Sequence, residues 1–598
     1  MKITFFKLWI ISLWRFFKDK LKNIYFNTKQ YNRSLKTIPS TRNYDIHNIH
    51  ILSELQDKDN SNYLLARQFS KNIWKINNLK KERINNLQKF SWLPYLNIKK
   101  EKNLGKIIIE EWLKENNNYQ SSSWDLMLIA NRLVFWITNS SFTIRDEDLI
   151  YRNKISNCIL SQCIHLSRNL SSVNSKLDRI YALFSIILVG SAFESYKKFL
   201  ENSLKNLQIQ LKNILDKNGV VQSKNVQDQF WLLHHLILIR ESLLLSQNPI
   251  PTFIDEKIEQ IGKVYISLLY SNETIPLFNG AKYYNCSNFN NFIKSKGYKF
   301  YKDNNESHFL YGKTKKLEVM MDSNDPPSDL NSNEYQAGCL SFELLHNKIK
   351  IITNCGFAKN FSKELSYISQ STAAHSCLTI NDTSSCIFQK NPLIKKYHGN
   401  SLLKKSKVFK RKLSNDHLSF SMTAGHTGYQ EKYNTIFERK IMANEEQLLV
   451  QGEDTLTVSK NDYAFLNFSI RFHVLPEAKL AQTHGGDILI SILNQGWKFK
   501  SQEQDLKIDN SLYFANYQII QETMCIVIEG TLKKHYSGEK NLILLKVATL
   551  KLDHLVWEQS SDGNFFPHLY SPLDLINVFE EYEVVLDSEG NHKLPDNF

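Results

Sequence analysis

The chain has 598 residues, 42% hydrophobic and 12% aromatic, with few Gly (20) and Pro (12); this excludes disordered and fibrous classes and calls for two or more cores, since one core stops growing near about 250–300 residues. Lys and Arg (75) exceed Asp and Glu (60), a formal charge of +15, and such a field concentrates polyanions: nucleic acid, anionic lipid or acidic polysaccharide. No Arg-rich tract, zinc-finger spacing or aromatic RNA-binding signature is present, so nucleic acid is not the expected partner.

Residues 1–45 form a basic segment that opens with "MKITFFKLWIISLWRFFKDKLKNIYF". Lys7 and Arg15 interrupt its apolar run and no small-residue cleavage site follows, so it does not read as a clean signal peptide. Apolar residues at 5, 6, 9, 10, 13, 14, 16 and 17 recur at helical spacing. They predict an amphipathic helix, packed on the body in preference to lying on a membrane through residues 1–26. No apolar stretch is long and charge-free enough to span a bilayer.

Residues 46–300 read as helical. Segments such as "SWDLMLIANRLVFWI" and "NVQDQFWLLHHLILIRESLLL" repeat apolar residues every three or four positions, and faces so wide must be covered by other helices, which suggests a toroid or solenoid. Trp124, Trp136 and Trp231 fit packing better than sugar stacking, and Trp92, Pro94 and Tyr95 anchor the start of this region. From 301 to 598 the chain turns to short runs of strand composition, "CLSFELL", "KIKIITNCG", "FLNFSIRFHVL", "CIVIEGTL", separated by turn residues, which predict stacked antiparallel sheets. The eight cysteines include no C-x-x-C pair, so neither a disulfide framework nor a thiolate zinc site is indicated.

Seven segments in this order resemble landmarks of the heparinase II/III family of polysaccharide lyases: "WDLMLIANRLVFWI", "LDKNGVVQSKN", "IPLFNGA", "AGCLSFELLHNKIKIITNCG", "STAAHSCLTINDTSS", "GHTGYQEKYNTIFERKI" and "IRFHVLP". The resemblance covers nearly the whole chain. It implies an α+β multidomain protein: an N-terminal incomplete (α/α) toroid followed by a C-terminal antiparallel β-sandwich. It also implies β-elimination on an acidic, uronate-containing glycan. That chemistry needs donors that neutralise the uronate carboxylate, a base for the C5 proton and an acid for the leaving oxygen. A periplasmic or envelope location goes with the family; the N-terminus leaves a cytoplasmic one open.

Carried over position by position, the resemblance puts Glu334 at the family's catalytic histidine and Gln336 at its second histidine. Asn354 falls at the family's aspartate, Leu177-Asp178 at an Asn-His pair, and His375 matches. A two-histidine, one-aspartate zinc site becomes Gln336, Asn354 and His375, and neutral amides are poor zinc ligands, so no metal or other cofactor is expected. The residues left for catalysis are His375, His426, Tyr429 and Tyr335, with Asn131, Arg132, Arg439, Glu334 and Gln336 for substrate binding. Arg132 suits a carboxylate clamp or a structural bond to a helix end, and each histidine suits a base or a satisfied core side chain. Three functional readings therefore stand: a lyase for an anionic glycan; a glycan-binding or envelope-biogenesis protein that keeps the scaffold without the site; and last, with only the charge behind it, a scaffold that binds protein or nucleic acid.

Overall fold

Long helices form where apolar residues recur with helical period behind a capping side chain. Asp125 caps Leu126–Thr138, Ser175 caps Lys176–Ala192 and Asn225 caps Val226–Leu245, each accepting from a backbone N–H of the first turn. The protein, seen in a computed structural model, is described at residues 2–36, 60–75, 79–144, 147–193, 196–301, 309–328, 331–332, 334–359, 361–399, 401–458, 465–493, 495–501, 505–516, 519–533, 542–559 and 565–568. The expected boundary at 45/46 and the end of the expected 301–598 region lie outside the described residues. The N-terminal region is helical down to Ser295. Lys176–Ala192 packs against Leu126–Thr138, Lys197–Ile214 and Val226–Leu245, and Val226–Leu245 against Thr252–Ser267. Val226–Leu245 is buried on nearly all sides, its apolar residues spread round the helix and Gln227, Gln229, His234, His235, Glu241 and Ser242 buried with them. Trp124 and Trp136 lie in this core, at 2% and 0% exposure.

From Leu310 onward the chain is mostly antiparallel sheet. One four-stranded sheet runs Leu310–Lys313, Leu317–Met321, Phe342–His346, Ile349–Ile352; a second runs Leu506–Tyr513, Gln521–Lys533, Phe465–His473, Leu378–Ile380. A larger sheet has at its centre Leu542–Gln559, Leu449–Val458, Thr435–Asn444 and Ser419–His426. In Thr435–Asn444 burial alternates strictly: Thr435, Phe437, Arg439, Ile441 and Ala443 face inward, the period-two signature of a sheet with one wet face. Side chains of the three sheets, among them Leu344, Ile441, Phe472 and Ile526, share one hydrophobic core.

The two regions are tied at a buried seam. Glu343 accepts from Tyr270 Oη (3.2 Å) and Leu277 N (3.3 Å) and pairs with Lys350 at 2.7 Å, so the carboxylate of one region satisfies donors of the other. The helix Lys2–Phe26 also bridges them. It packs against the helix Pro392–His398, receives a hydrogen bond from Tyr397 on Asp19 (3.0 Å) and donates through Lys22 to Ser172 (2.7 Å). All eight cysteines are free and buried.

Candidate functional site

A cavity of 510 Å³ opens where the helical and β regions meet. Two helix starts contribute to it, Ser175–Asp178 and Asn225–Asp228, with Trp231 beside them; the loop through Asn279, Gly280 and Lys282 forms another part. The β region adds Asn331, Glu334, Tyr335, Phe357 and Lys359, and one wall is made by Arg15 of the first helix and by residues 395–399. Gly280 makes the close approach possible. Its φ is +102°, and a Cβ there would stand 2.8 Å from Glu334 Cβ and 3.0 Å from the Asn225 amide.

The ionisable residues in the cavity are unevenly signed: Arg15, Lys176, Arg179, Lys282, Lys359, Lys395 and Lys396 against Asp178, Asp228 and Glu334. Glu334 forms an ion pair with Lys359 and accepts from Asn225 Nδ2 at 3.3 Å. Burial, reinforced by the charge of Glu334, pushes Asp228 up to about 7, although Ser223 Oγ donates to it at 2.6 Å. Burial also raises Asp178 and lowers Lys282, whereas the charge of Glu334 holds Lys359 high. The site thus holds a carboxylate that changes charge near neutral pH inside a basic cavity, an arrangement suited to moving a proton beside an anionic ligand.

Of the four expected catalytic residues, Tyr335 alone lines this cavity. It is 1% exposed, its hydroxyl is buried, and its ring packs with Cys386 in the β region; burial raises its pKa. His375 and His426 are buried at 1% and 0% exposure, and burial lowers them to about 4 and about 3, so both are neutral at physiological pH. His375 Nδ1 lies 2.9 Å from Ser371 O, and His426 Nδ1 accepts from Gly428 N at 3.0 Å. Tyr429 donates to Leu378 O at 2.7 Å inside the sheets. Burial likewise holds His473 near about 3, with its ring between Ser511 Oγ and Ala373 O.

The expected binding residues divide in the same way. Glu334 is in the cavity. Arg132 is not: it donates to Gln88 O (3.0 Å), Gln162 Oε1 (3.0 Å) and Ser123 O (2.7 Å) and stacks over Trp112, which places its guanidinium inside the helical core. Asn131 accepts from Tyr181 Oη at 3.3 Å and donates to Met127 O. Arg439 forms a two-point ion pair with Asp454 (2.7 and 2.6 Å) and donates to Leu340 O and Ser376 O, which fixes it within the sheets. Asp228, Lys282 and Lys359 were not singled out from the sequence. Asp228 stands a few residues beyond the quoted "LDKNGVVQSKN" and Lys282 just past "IPLFNGA", but nothing in the spacing signals that folding brings them together.

The family zinc does not fit the residues present. Gln336 accepts from Gly280 N (2.9 Å) and donates to Gly356 O (2.9 Å) and Ser369 O (2.6 Å), so its amide is a rivet between the two regions. Asn354 Oδ1 accepts from Ser376 N at 2.9 Å. Among the described residues no cluster of three or more His, Cys, Asp or Glu is arranged to hold a metal ion.

Comparison with known proteins bears on this arrangement. Residues 297–543 match the family model described as heparinase II/III-like, C-terminal, and residues 523–581 match a model for a protein of unknown function. No curated protein matches. Among solved structures, a heparinase III aligns with a TM-score of 0.60 at 12% identity over 88% of each chain. A mutant of heparan sulfate lyase HepC from Pedobacter heparinus aligns at 0.57 and 11% identity over 86% of this chain and 90% of that one. At such identities the likeness is one of fold: a helical region followed by antiparallel sheets, on a lyase-like scaffold. Residues 297–543 are thus similar to a heparinase II/III-like C-terminal domain, and the architecture of the whole chain is shared with heparinase III.

Proposed function

We propose that the protein binds an acidic, uronate-containing glycan in the cavity between its two regions and cleaves it by β-elimination. In this reading the helical region is an incomplete (α/α) toroid and the sheets are a β-sandwich, with the cavity as the trough between them. The carrying observation is Asp228, a carboxylate pushed up to about 7 in a cavity lined by seven Lys or Arg and three acidic residues. Lys282 and Lys359 offset the uronate carboxylate and stabilise the carbanion-like state; Asp228 takes the C5 proton and, so protonated, delivers it to the leaving oxygen. HepC, which shares the fold, is by name a heparan sulfate lyase, and that supports a sulfated or carboxylated polymer as substrate. We place the activity at the cell envelope.

A second reading rests on a separate observation. Gln336, at the position of a family histidine, is fully engaged in holding the two regions together, which fits a scaffold that binds glycan without cutting it. Incubation with a panel of uronate polymers separates the two. Elimination creates an unsaturated uronate whose ultraviolet absorbance rises with time, and Asp228→Asn lowers that rate roughly 100-fold or more. Saturable binding with no absorbance on any polymer establishes the second reading and removes the first.

A further inference from the structure

The helix Lys2–Phe26 has two apolar faces, and one of them is bare. Its inner face carries Leu8 and Ser12, both buried, together with Asp19 and Lys22, which hold it to Tyr397 and Ser172. On the opposite side stand Phe6, Ile10, Trp14, Phe17, Leu21 and Ile24, at 60%, 46%, 62%, 56%, 68% and 69% exposure. Their spacing of four, four, three, four and three residues keeps them within a band roughly 80° wide at 3.6 residues per turn, running about 27 Å along the axis. Scattered exposed apolar side chains are ordinary, but a continuous stripe of six large ones is not. None of the described residues covers it.

The charges beside the stripe indicate what does. Lys7 and Lys18 flank it on one side and Lys20 on the other, all exposed, and Lys18 lies over the Trp14 ring at 4.7 Å. The helix carries six basic residues and one acidic residue, Asp19, which is bound to Tyr397. No described helix is long and apolar enough to cross a membrane. Large apolar groups facing outward, bordered by flexible cations and without acidic residues among them, match the boundary between acyl chains and anionic headgroups.

We propose that the helix Lys2–Phe26 seats the protein on an anionic phospholipid surface, lying in the headgroup plane with Phe6, Ile10, Trp14, Phe17, Leu21 and Ile24 in the acyl boundary. The test is co-sedimentation of the full chain with vesicles of phosphatidylcholine containing phosphatidylglycerol, and with phosphatidylcholine alone. The wild type partitions to the anionic vesicles, more weakly at high salt. Trp14→Ser/Leu21→Ser and Lys18→Glu/Lys20→Glu each lower the partition roughly tenfold or more. Because these side chains are exposed, both double variants keep the wild-type melting temperature, which separates loss of binding from loss of fold. A wild type that stays in the supernatant at every phosphatidylglycerol content, or variants that partition equally, overturns the proposal. So does a concentration-dependent dimer in analytical ultracentrifugation that Trp14→Ser/Leu21→Ser abolishes, since the stripe is then covered by a second copy. No outcome depends on glycan cleavage.

Discussion

Asp228 is governed by its burial and by four neighbours, Glu334, Ser223, Lys359 and Asp178. Burial and the charges of Glu334 and Asp178 favour the neutral acid, the Ser223 hydroxyl and the Lys359 charge favour the carboxylate, and the balance lies at about 7. As the base in elimination it works when ionised, so kcat/KM falls about tenfold per pH unit below about 7 and levels off above it; Asp228→Asn removes the limb together with the activity. Stability follows with the opposite sign. The folded-state value lies above the roughly 3.9 of an unfolded aspartate, so the folded protein binds the proton more tightly. That contribution is complete below about 4 and disappears as pH rises through about 7. The melting temperature of Asp228→Asn therefore rises relative to the wild type across that window, measured by thermal melts at pH 4 to 8 in about unit steps. Of this site, Glu334 and Tyr335 were legible in the sequence because they adjoin a recognisable block. Asp228, Lys282 and Lys359 were not, since no local pattern shows which polar side chains from distant segments will meet. The histidines drew notice for their ordinary pKa near neutrality, a property that burial removes and that composition cannot foretell.

At the level of single elements, inward-pointing arginines explain why two expected binding residues are absent from the cavity. In the strand Thr435–Asn444 the alternation places Arg439 on the buried face, directly opposite Asp454 of Leu449–Val458. Arg439→Met leaves the Asp454 carboxylate buried without its partner and costs about 3–5 kcal/mol, whereas adding Asp454→Leu restores most of the loss; urea denaturation of the single and double variants measures both. Arg132, on the helix Leu126–Thr138, is likewise enclosed, with Trp112 beneath its guanidinium. The element types and their order were legible, because a period near 3.6 before about residue 270 and short strand-like runs after 300 differ plainly along the chain. The first helix was half legible: its packing against the body followed from its apolar spacing, but which apolar residues stay outside depends on where Pro392–His398 comes to rest.

Across the whole molecule, the two regions are held by polar links. The Gln336 amide joins the 277–282 loop to the β region through Gly280, and Glu343 gathers donors from both sides. Dialysis against a chelator accordingly leaves the melting temperature unchanged, and Gln336→Ala, which orphans the Gly280 N–H and two carbonyls, lowers stability by about 1–3 kcal/mol per unsatisfied group at most. The shape of the cavity was not legible, because it arises from the junction and not from either half.

The enclosure of every thiol gives this junction a built-in reporter. Burial pushes Cys158, Cys163, Cys286, Cys355 and Cys525 up to about 12 and Cys377 to about 11, and raises Cys339 and Cys386 as well. Thiolate-seeking reagents therefore wait for local opening before they react. Three of these sulfurs lie among the helices and five among the sheets, so pulsed alkylation read by mass spectrometry records, from which cysteines are tagged together, whether the halves breathe as one body or in turn.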